Sequence, residues 1–357
     1  MAIPKSRSAT VRSAVIQAAI LGALVAATDT NAAEPLGAYK IDRNAISVSG
    51  ISSGGFMAQQ FHVAHSKEII GAGIVAGGPY DCADSKPGWL PEFTATDVCS
   101  YFIKTINPFV PFLGPPDVRA SVAATRTAAR KGTIDAPLGL TGDKVYLFSG
   151  TKDSIVPQAV MDGLKVYYRA FLPAGNITYV NNIPAEHAMV TDDFGNGCQT
   201  LGSPYINNCH YDTAGALLGV IYGALSPPGG AGSGTVIAFD QAAFLPAGDN
   251  ISMNPVGHLF VPANCVAQAG CRLHIAFHGC LQTQEVVGDS YYRHAGYNKW
   301  AATNKIIVLY PQTKASDADP LNPNGCWDWW GYTGTDFNTR TGKQIVAVQK
   351  MIDRLAQ

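Results

Sequence analysis

Gly50-Ile51-Ser52-Ser53-Gly54 stands between an alternating run, Ile41 to Val48, and a run of helical composition, Phe56 to Ser66. The alternation predicts a short strand, and the Gly/Ser cluster predicts a tight turn from that strand into a helix. The pentapeptide fits G-x-S-x-G, whose glycines let the chain turn sharply and lift the serine hydroxyl clear of the sheet. Ser52 is the candidate nucleophile, and the Ser53 N–H would face the developing oxyanion. Gly-rich chains produce the pattern by chance, so its weight comes from its place between strand and helix.

Outward from this turn, strand-like runs occur at Ile69 to Ala76, Lys144 to Ser149 and Asn176 to Ile183. Their interleaving with helical patterns predicts an α/β class, with a mainly parallel sheet and helices on both faces. A serine hydroxyl needs a base to take its proton, a carboxylate to orient that base, and donors for the oxyanion. Asp153 lies just beyond the strand Lys144 to Ser149. It reads either as the orienting acid or as a turn Asp bonded to its own backbone; Asp81, Asp84, Asp135, Asp192 and Asp193 are the other acids to test. His187, in Pro184-Ala185-Glu186-His187, comes directly after the strand-like Asn176 to Ile183 and is the best base. His62 and His65 ride the helix after the turn and read as packing or surface residues, whereas His210, His258, His274 and His294 lack a comparable loop context.

Toward the C-terminus come strand-like His258 to Pro262, Arg272 to Phe277 and Ile306 to Tyr310, then helix-like Lys343 to Leu355. The second of these strands ends in His278-Gly279-Cys280-Leu281-Gln282, an HG-type loop whose Cys280 N–H is the candidate second oxyanion donor. The order Ser, acid, His is that of α/β-hydrolases, but there the HG loop precedes the nucleophile. Here it comes more than two hundred positions later. Moving the C-terminal block ahead of Ile41 restores the usual succession, so the expected fold is a circularly permuted α/β-hydrolase. The stretch Ser226-Pro227-Pro228-Gly229-Gly230-Ala231-Gly232-Ser233-Gly234 then reads as a joining loop, because the C-terminal block has too few elements to fold alone.

The chain has 357 residues and opens with Lys5, Arg7 and Arg12, an apolar stretch from Ala14 to Ala27, and small residues at Asn31-Ala32-Ala33. This reads as a signal peptide over residues 1–33, leaving 34–357 as one catalytic domain exported in soluble form. No later stretch approaches the roughly 18 apolar residues of a membrane helix. A formal net charge of −1 with 14% charged residues and no basic run removes the footprint that nucleic-acid binding needs. A neutral, apolar substrate fits better. Eight cysteines in an exported chain, without CxxC or HxxxH spacing, favour disulfides over zinc. Sequence proximity pairs Cys82 with Cys99, Cys198 with Cys209, Cys265 with Cys271 and Cys280 with Cys326, although many other connectivities stay open. The insertion between Ser85 and Pro137 carries a helical pattern from Asp117 to Lys131, with an Asp N-cap and a stop at Gly132. It forms either a cap over the site or an ordinary surface excursion.

Together, Gly50-Ile51-Ser52-Ser53-Gly54-Gly55-Phe56-Met57-Ala58, Ala76-Gly77-Gly78-Pro79-Tyr80, Glu186-His187, His278-Gly279-Cys280-Leu281-Gln282 and Asn322-Pro323-Asn324-Gly325-Cys326-Trp327-Asp328-Trp329 resemble one known group. It is the single-domain, circularly permuted extracellular poly(3-hydroxybutyrate) depolymerases and their bacterial relatives. The resemblance implies a triad of Ser52, Asp153 and His187, oxyanion donors at Ser53 and Cys280, and a substrate crevice at Trp327 or its neighbours Trp329 and Trp330. No metal or organic cofactor is required for that chemistry, and the partner is a polyester or its oligomers. The tryptophans fit structural packing equally well, since aromatics bury large areas in any core. Many such depolymerases append a polymer-binding domain for which no residues are expected here, which counts against crystalline polymer and leaves amorphous polymer, soluble oligomers or another aliphatic polyester as substrates. The competing readings are a secreted esterase of feruloyl, tannase-like or other polyester specificity, and a non-catalytic polymer-binding protein on a hydrolase-like fold.

Overall fold

The computed structural model describes residues 33–102, 107, 109, 114–229 and 233–357, so the leader sequence, apart from Ala33, lies outside the described residues. Strand β1 (Ile46–Ile51) is buried along its whole length at the middle of an eight-stranded sheet. It pairs in parallel with β2 (Ile69–Val75) on one side and with β10 (Arg272–Phe277) on the other. The strand expected from Ile41 begins only at Ile46 because Asp42 accepts the Asn44 N–H (2.9 Å) on its side chain and the Ala45 N–H on its carbonyl, closing a turn. Beyond β2 lie β3 (Lys144–Phe148) and β4 (Ile177–Val180), both parallel. Beyond β10 lie β11 (Ile306–Tyr310), β9 (Val256–Pro262) and β8 (Gly234–Asp240). Only the pairings of β9 are antiparallel in this sheet. The inner strands are apolar runs such as Ile306–Tyr310, fully buried, as expected where helices cover both faces.

Helix α1 (Ser53–Ala64) leaves the end of β1 and is buried at every position. It shares one face of the sheet with the amphipathic C-terminal helix α6 (Lys343–Leu355), whose Ile345, Val348, Met351, Ile352 and Leu355 join the same core as Met57 and Phe61. Helices α4 (Thr213–Tyr222) and α5 (Tyr297–Asn304) cover the other face through Leu217, Leu218, Ile221, Tyr297 and Ala301. Helix α2 (Val118–Arg130) has the expected cap, with Asp117 accepting the N–H groups of Arg119 and Ala120, and Gly132 lies just beyond it at φ 71°. It packs with α3 (Gln158–Tyr168). A small second sheet, in the order β5 (Met189–Thr191), β7 (Ile206–Asn208), β6 (Asn196–Gly197), comes after β4 in the chain.

The strand order across the large sheet is β4-β3-β2-β1-β10-β11-β9-β8. Traced from β8 to the C-terminus and then from β1 to β4, the chain crosses the sheet in sequence with a single exchange, β10 for β11. That is the permuted succession, and it sets the end of β10, carrying the HG loop, beside the end of β1. Four disulfides close: Cys82–Cys99, Cys198–Cys209, Cys265–Cys271 and Cys280–Cys326.

Candidate active site

The C-terminal ends of the parallel strands meet on one edge of the sheet, where open α/β folds place their ligands. Ser52 sits at the end of β1 with φ 56° and ψ −125°, a strained backbone for a residue with a side chain. Its N–H donates to the Val75 carbonyl and its own carbonyl accepts the Phe56 N–H, both at 3.0 Å, so the turn is held from both neighbours. The flanking glycines have a steric reason. A Cβ on Gly50 would stand 2.1 Å from the Gly54 oxygen, and one on Gly54 would stand 2.3 Å from the carbonyl oxygens of Phe277 and His278. Strand, helix and HG loop thus touch backbone to backbone around Ser52.

Asp153 and His187 arrive on the loops after β3 and β4, which are laced together by Thr151 N–H to Ile183 O (2.8 Å) and Lys152 N–H to Ala185 O (3.1 Å). His187 Nδ1 lies 3.1 Å from Asp153 Oδ1 and 3.0 Å from Oδ2, with both side chains buried. Asp153 Oδ1 also accepts the N–H groups of Ile155 (2.9 Å) and Val156 (2.7 Å), whereas among the described residues Oδ2 serves His187 alone. One carboxylate thus closes the turn and also makes the contact to His187 Nδ1 that an orienting acid would need. Glu186, to which the sequence pattern assigns no role, clips the two loops: its Oε1 accepts the Ser154 N–H (2.7 Å), the Ser154 hydroxyl (3.0 Å) and the His187 N–H (2.9 Å). Its position directly before His187 is the only local signal.

Ser52 and His187 line the same cavity of about 580 Å³. No hydrogen bond joins their side chains among the described residues, a looseness common in unliganded sites. Directly after Ser52, Ser53 opens α1 with its N–H free of an intrahelical acceptor. In the HG loop, Gly279 N–H donates to Gln282 Oε1 (2.7 Å) and Leu281 N–H to the Asn324 carbonyl (2.8 Å), leaving Cys280 N–H without an acceptor among the described residues. Leu281 takes φ 59° to make the turn. His278 beneath it is wholly buried, Nδ1–H donating to the Gly279 carbonyl (2.8 Å) and Nε2 accepting the Thr313 N–H (3.2 Å). Desolvation holds its pKa down at about 4, so it stays neutral.

The remaining walls are mostly apolar. Trp329 stacks on Phe56 at 4.0 Å between ring centroids, Trp330 meets Trp329 edge-on at 5.6 Å, and both face the cavity. Trp327 does not. It is fully buried, edge-on to Phe277 at 5.0 Å, and its backbone N–H donates to Ser53 Oγ (3.3 Å), so it is a packing residue behind the site and its reading as a crevice residue is corrected. From the insertion at 85–137, Glu92, Thr96, Ser100 and Phe102 reach the cavity. Helix α2 instead packs on the core through Val118 and Val122.

No family model matches the chain. It is 43% identical over 340 residues to a poly(3-hydroxybutyrate) depolymerase of Delftia acidovorans, covering 93% of this chain and 64% of that relative. A polyhydroxybutyrate depolymerase of Talaromyces funiculosus is 36% identical over 338 residues, covering 91% of this chain and 93% of that relative. The chain belongs to the poly(3-hydroxybutyrate) depolymerase family. Its fold is similar to the crystal structure of the PHB depolymerase from Penicillium funiculosum, with a TM-score of 0.80 and 35% identity over 90% of this chain and 98% of that one. It is equally similar, at a TM-score of 0.81, to a serine-to-alanine variant of a PHB depolymerase complexed with an R3HB trimer.

Within this depolymerase fold the other acids and histidines have different work. Asp135 pairs with Arg340 (3.0 Å) and Lys67 (3.8 Å), and Lys299 pairs with both Asp192 and Asp193. Burial and the neighbouring Asp84 push Asp81 up to about 7, while Asn338 donates to it. His62 bonds Tyr168 and Asp143, and His274 sits between Ser47 and Ser49 with burial lowering it to about 3. None of these contacts involves His187 or Ser52. Among the described residues no cluster of His, Cys, Asp or Glu could hold a metal ion.

Proposed function

We propose that this chain is a serine esterase that hydrolyses poly(3-hydroxybutyrate) or its oligomers through an acyl-enzyme. The observation that carries the proposal is the convergence of the strained Ser52 turn and the buried Asp153–His187 pair on one apolar cavity. Ser52 Oγ attacks the ester carbonyl while His187 Nε2 takes its proton, and Asp153 keeps Nδ1 protonated and facing away. The N–H groups of Ser53 and Cys280 receive the oxyanion. Collapse of the intermediate releases the alcohol end of the chain with a proton from His187, and water activated by the same base then frees the acid.

A polyester of short hydroxyalkanoate units offers carbonyls and methyl groups without charge, and walls built from Phe56, Trp329, Trp330 and Ile155 suit it. The family relatives and the neighbour's complex with an R3HB trimer support the same substrate class. Four disulfides support export to an oxidising compartment, and among the described residues no helix is long and apolar enough to cross a membrane.

The test is Ser52→Ala with a soluble hydroxybutyrate trimer as substrate and an organophosphonate as probe. Turnover should fall by orders of magnitude with the melting temperature unchanged, and the probe should add to Ser52 in the wild type only. Activity retained by the variant would defeat the proposal.

A further inference from the structure

We infer that Gln282 is a positioning residue that holds the oxyanion-binding turn in register with the loop carrying the base, which rests on the reading of Cys280 N–H as an oxyanion donor. Gln282 is 1% exposed, and its amide is fully used. Oε1 accepts the Gly279 N–H at 2.7 Å, while Nε2 donates to the carbonyls of Pro204 (3.1 Å) and Tyr205 (2.9 Å). The Tyr205 carbonyl also accepts the N–H of Met189 at 2.9 Å, two residues beyond His187. One side chain therefore links the turn to the backbone beside the base, and both line the same cavity.

On its far side the same turn presses against the nucleophile. A Cβ on Gly279 would lie 2.9 Å from Gln282 Oε1 and 3.2 Å from Ser52 Cβ, so the backbone is held between the two. Occupying Gly279 N–H has a second effect: it commits that donor elsewhere and leaves Cys280 N–H as the one the turn offers. Neither contact can be read from the pattern His-Gly-Cys-Leu-Gln, because Pro204 and Tyr205 lie more than seventy positions away.

Oxyanion donors act only if they already point at the position the charge will occupy. Loosening the turn should therefore weaken transition-state binding far more than substrate binding. Removing one such donor outright typically lowers kcat by about a hundred- to a thousand-fold. A residue acting through the donor's position should have a smaller effect, roughly ten- to a hundred-fold on the same scale. Gln282→Leu is expected to show that loss in kcat with KM changed by less than about threefold. Affinity for an alkylboronic acid, which forms a tetrahedral adduct on the serine, should fall by the same factor as kcat. Organophosphonate titration run to completion should still count one reactive Ser52 per molecule.

Gln282→Glu keeps an acceptor for Gly279 but sets a carboxylate oxygen against two carbonyls. Its kcat profile should shift toward acid relative to the wild type, because the protonated side chain restores the missing donor. A kcat for Gln282→Leu within threefold of wild type, a rise in KM alone, or a loss matched by fewer titratable serines would overturn the inference. If Gln282→Leu does not fold, a Gln282→Glu profile parallel to wild type overturns it instead. Activity in Ser52→Ala would strike at the underlying site reading and not at Gln282.

Discussion

Replacing Asp153 by Asn tests whether the carboxylate does more than close its loop. Asp153 Oδ1 accepts two backbone N–H groups, from Ile155 at 2.9 Å and Val156 at 2.7 Å, and lies 3.1 Å from His187 Nδ1, while Oδ2, at 3.0 Å, faces only His187 among the described residues. An Asn must keep its single oxygen where the two donors are, since the reverse orientation would set an NH2 against both and leave them unsatisfied. The loop thus dictates the flip and points Nδ2 at His187 Nδ1. The retained oxygen, 3.1 Å from Nδ1, is already shared by two N–H groups, so Nδ1 is driven to accept from the NH2 and the proton of the neutral ring moves to Nε2, the atom that takes the Ser52 proton in the proposed mechanism. A wrong tautomer of this kind lowers kcat about ten-thousand-fold in the serine protease precedent, equivalent to about 5.5 kcal/mol of barrier. KM and melting temperature should barely move, because the loop bonds survive. Asp153→Ala, which orphans both N–H groups, should cost about 2 kcal/mol of stability as well. Steady-state kinetics on a hydroxybutyrate trimer with urea denaturation alongside would measure both. An Asp153→Asn enzyme within tenfold of wild-type kcat would refute the reasoning.

Gly54→Ala should destabilise by about 3 kcal/mol or more, since its Cβ would meet backbone oxygens of Phe277 and His278 at 2.3 Å; a thermal melt matching wild type would contradict this. Removing Cys280–Cys326, with a sequence separation of 46, should cost about 4 kcal/mol by chain entropy, against about 2 kcal/mol for Cys265–Cys271, with a separation of 6. Equal losses in urea midpoint for the two double-alanine variants would count against that account. Burial lowers His274 to about 3 and His278 to about 4, from an ordinary 6.5. Below pH 6.5 the unfolded chain therefore binds two protons that the folded one refuses, against one that Asp81, raised to about 7, holds only when folded, so stability should fall as the pH drops from 6.5 toward 4. A urea midpoint constant over that interval would be inconsistent with neutral buried imidazoles.

The meeting of Ser52, Asp153 and His187 is legible in the sequence because each sits where a strand-like run ends, and the parallel sheet collects such ends on one edge. The permutation is legible for a related reason: an HG loop placed after the nucleophile still has to lie beside it. Trp327 is not, since a tryptophan in a Gly- and Trp-rich loop has the same local pattern whether it faces the cavity or the core. Only the packing against Phe277 and His278 decides. Helices α3 and α4 escape a periodicity reading because Gly163, Gly215 and Gly219 interrupt their apolar pattern, while tertiary burial outweighs the propensity cost. Glu186 and Gln282 act through hydrogen bonds to residues distant in the chain, which no local pattern encodes.

The register Gly50↔Phe277 has a consequence for how the protein comes into being. The strand that must flank the Ser52 turn, and the loop proposed to complete its anion pocket, leave the ribosome more than two hundred residues after it. At about 5 to 20 residues per second, roughly 10 to 50 s pass in which β1 has one interior edge open. A nascent chain in that interval holds Ser52 without the HG loop beside it. On the proposed assignment of the site, the permuted order therefore ties completion of the anion pocket to the emergence of the C-terminal block.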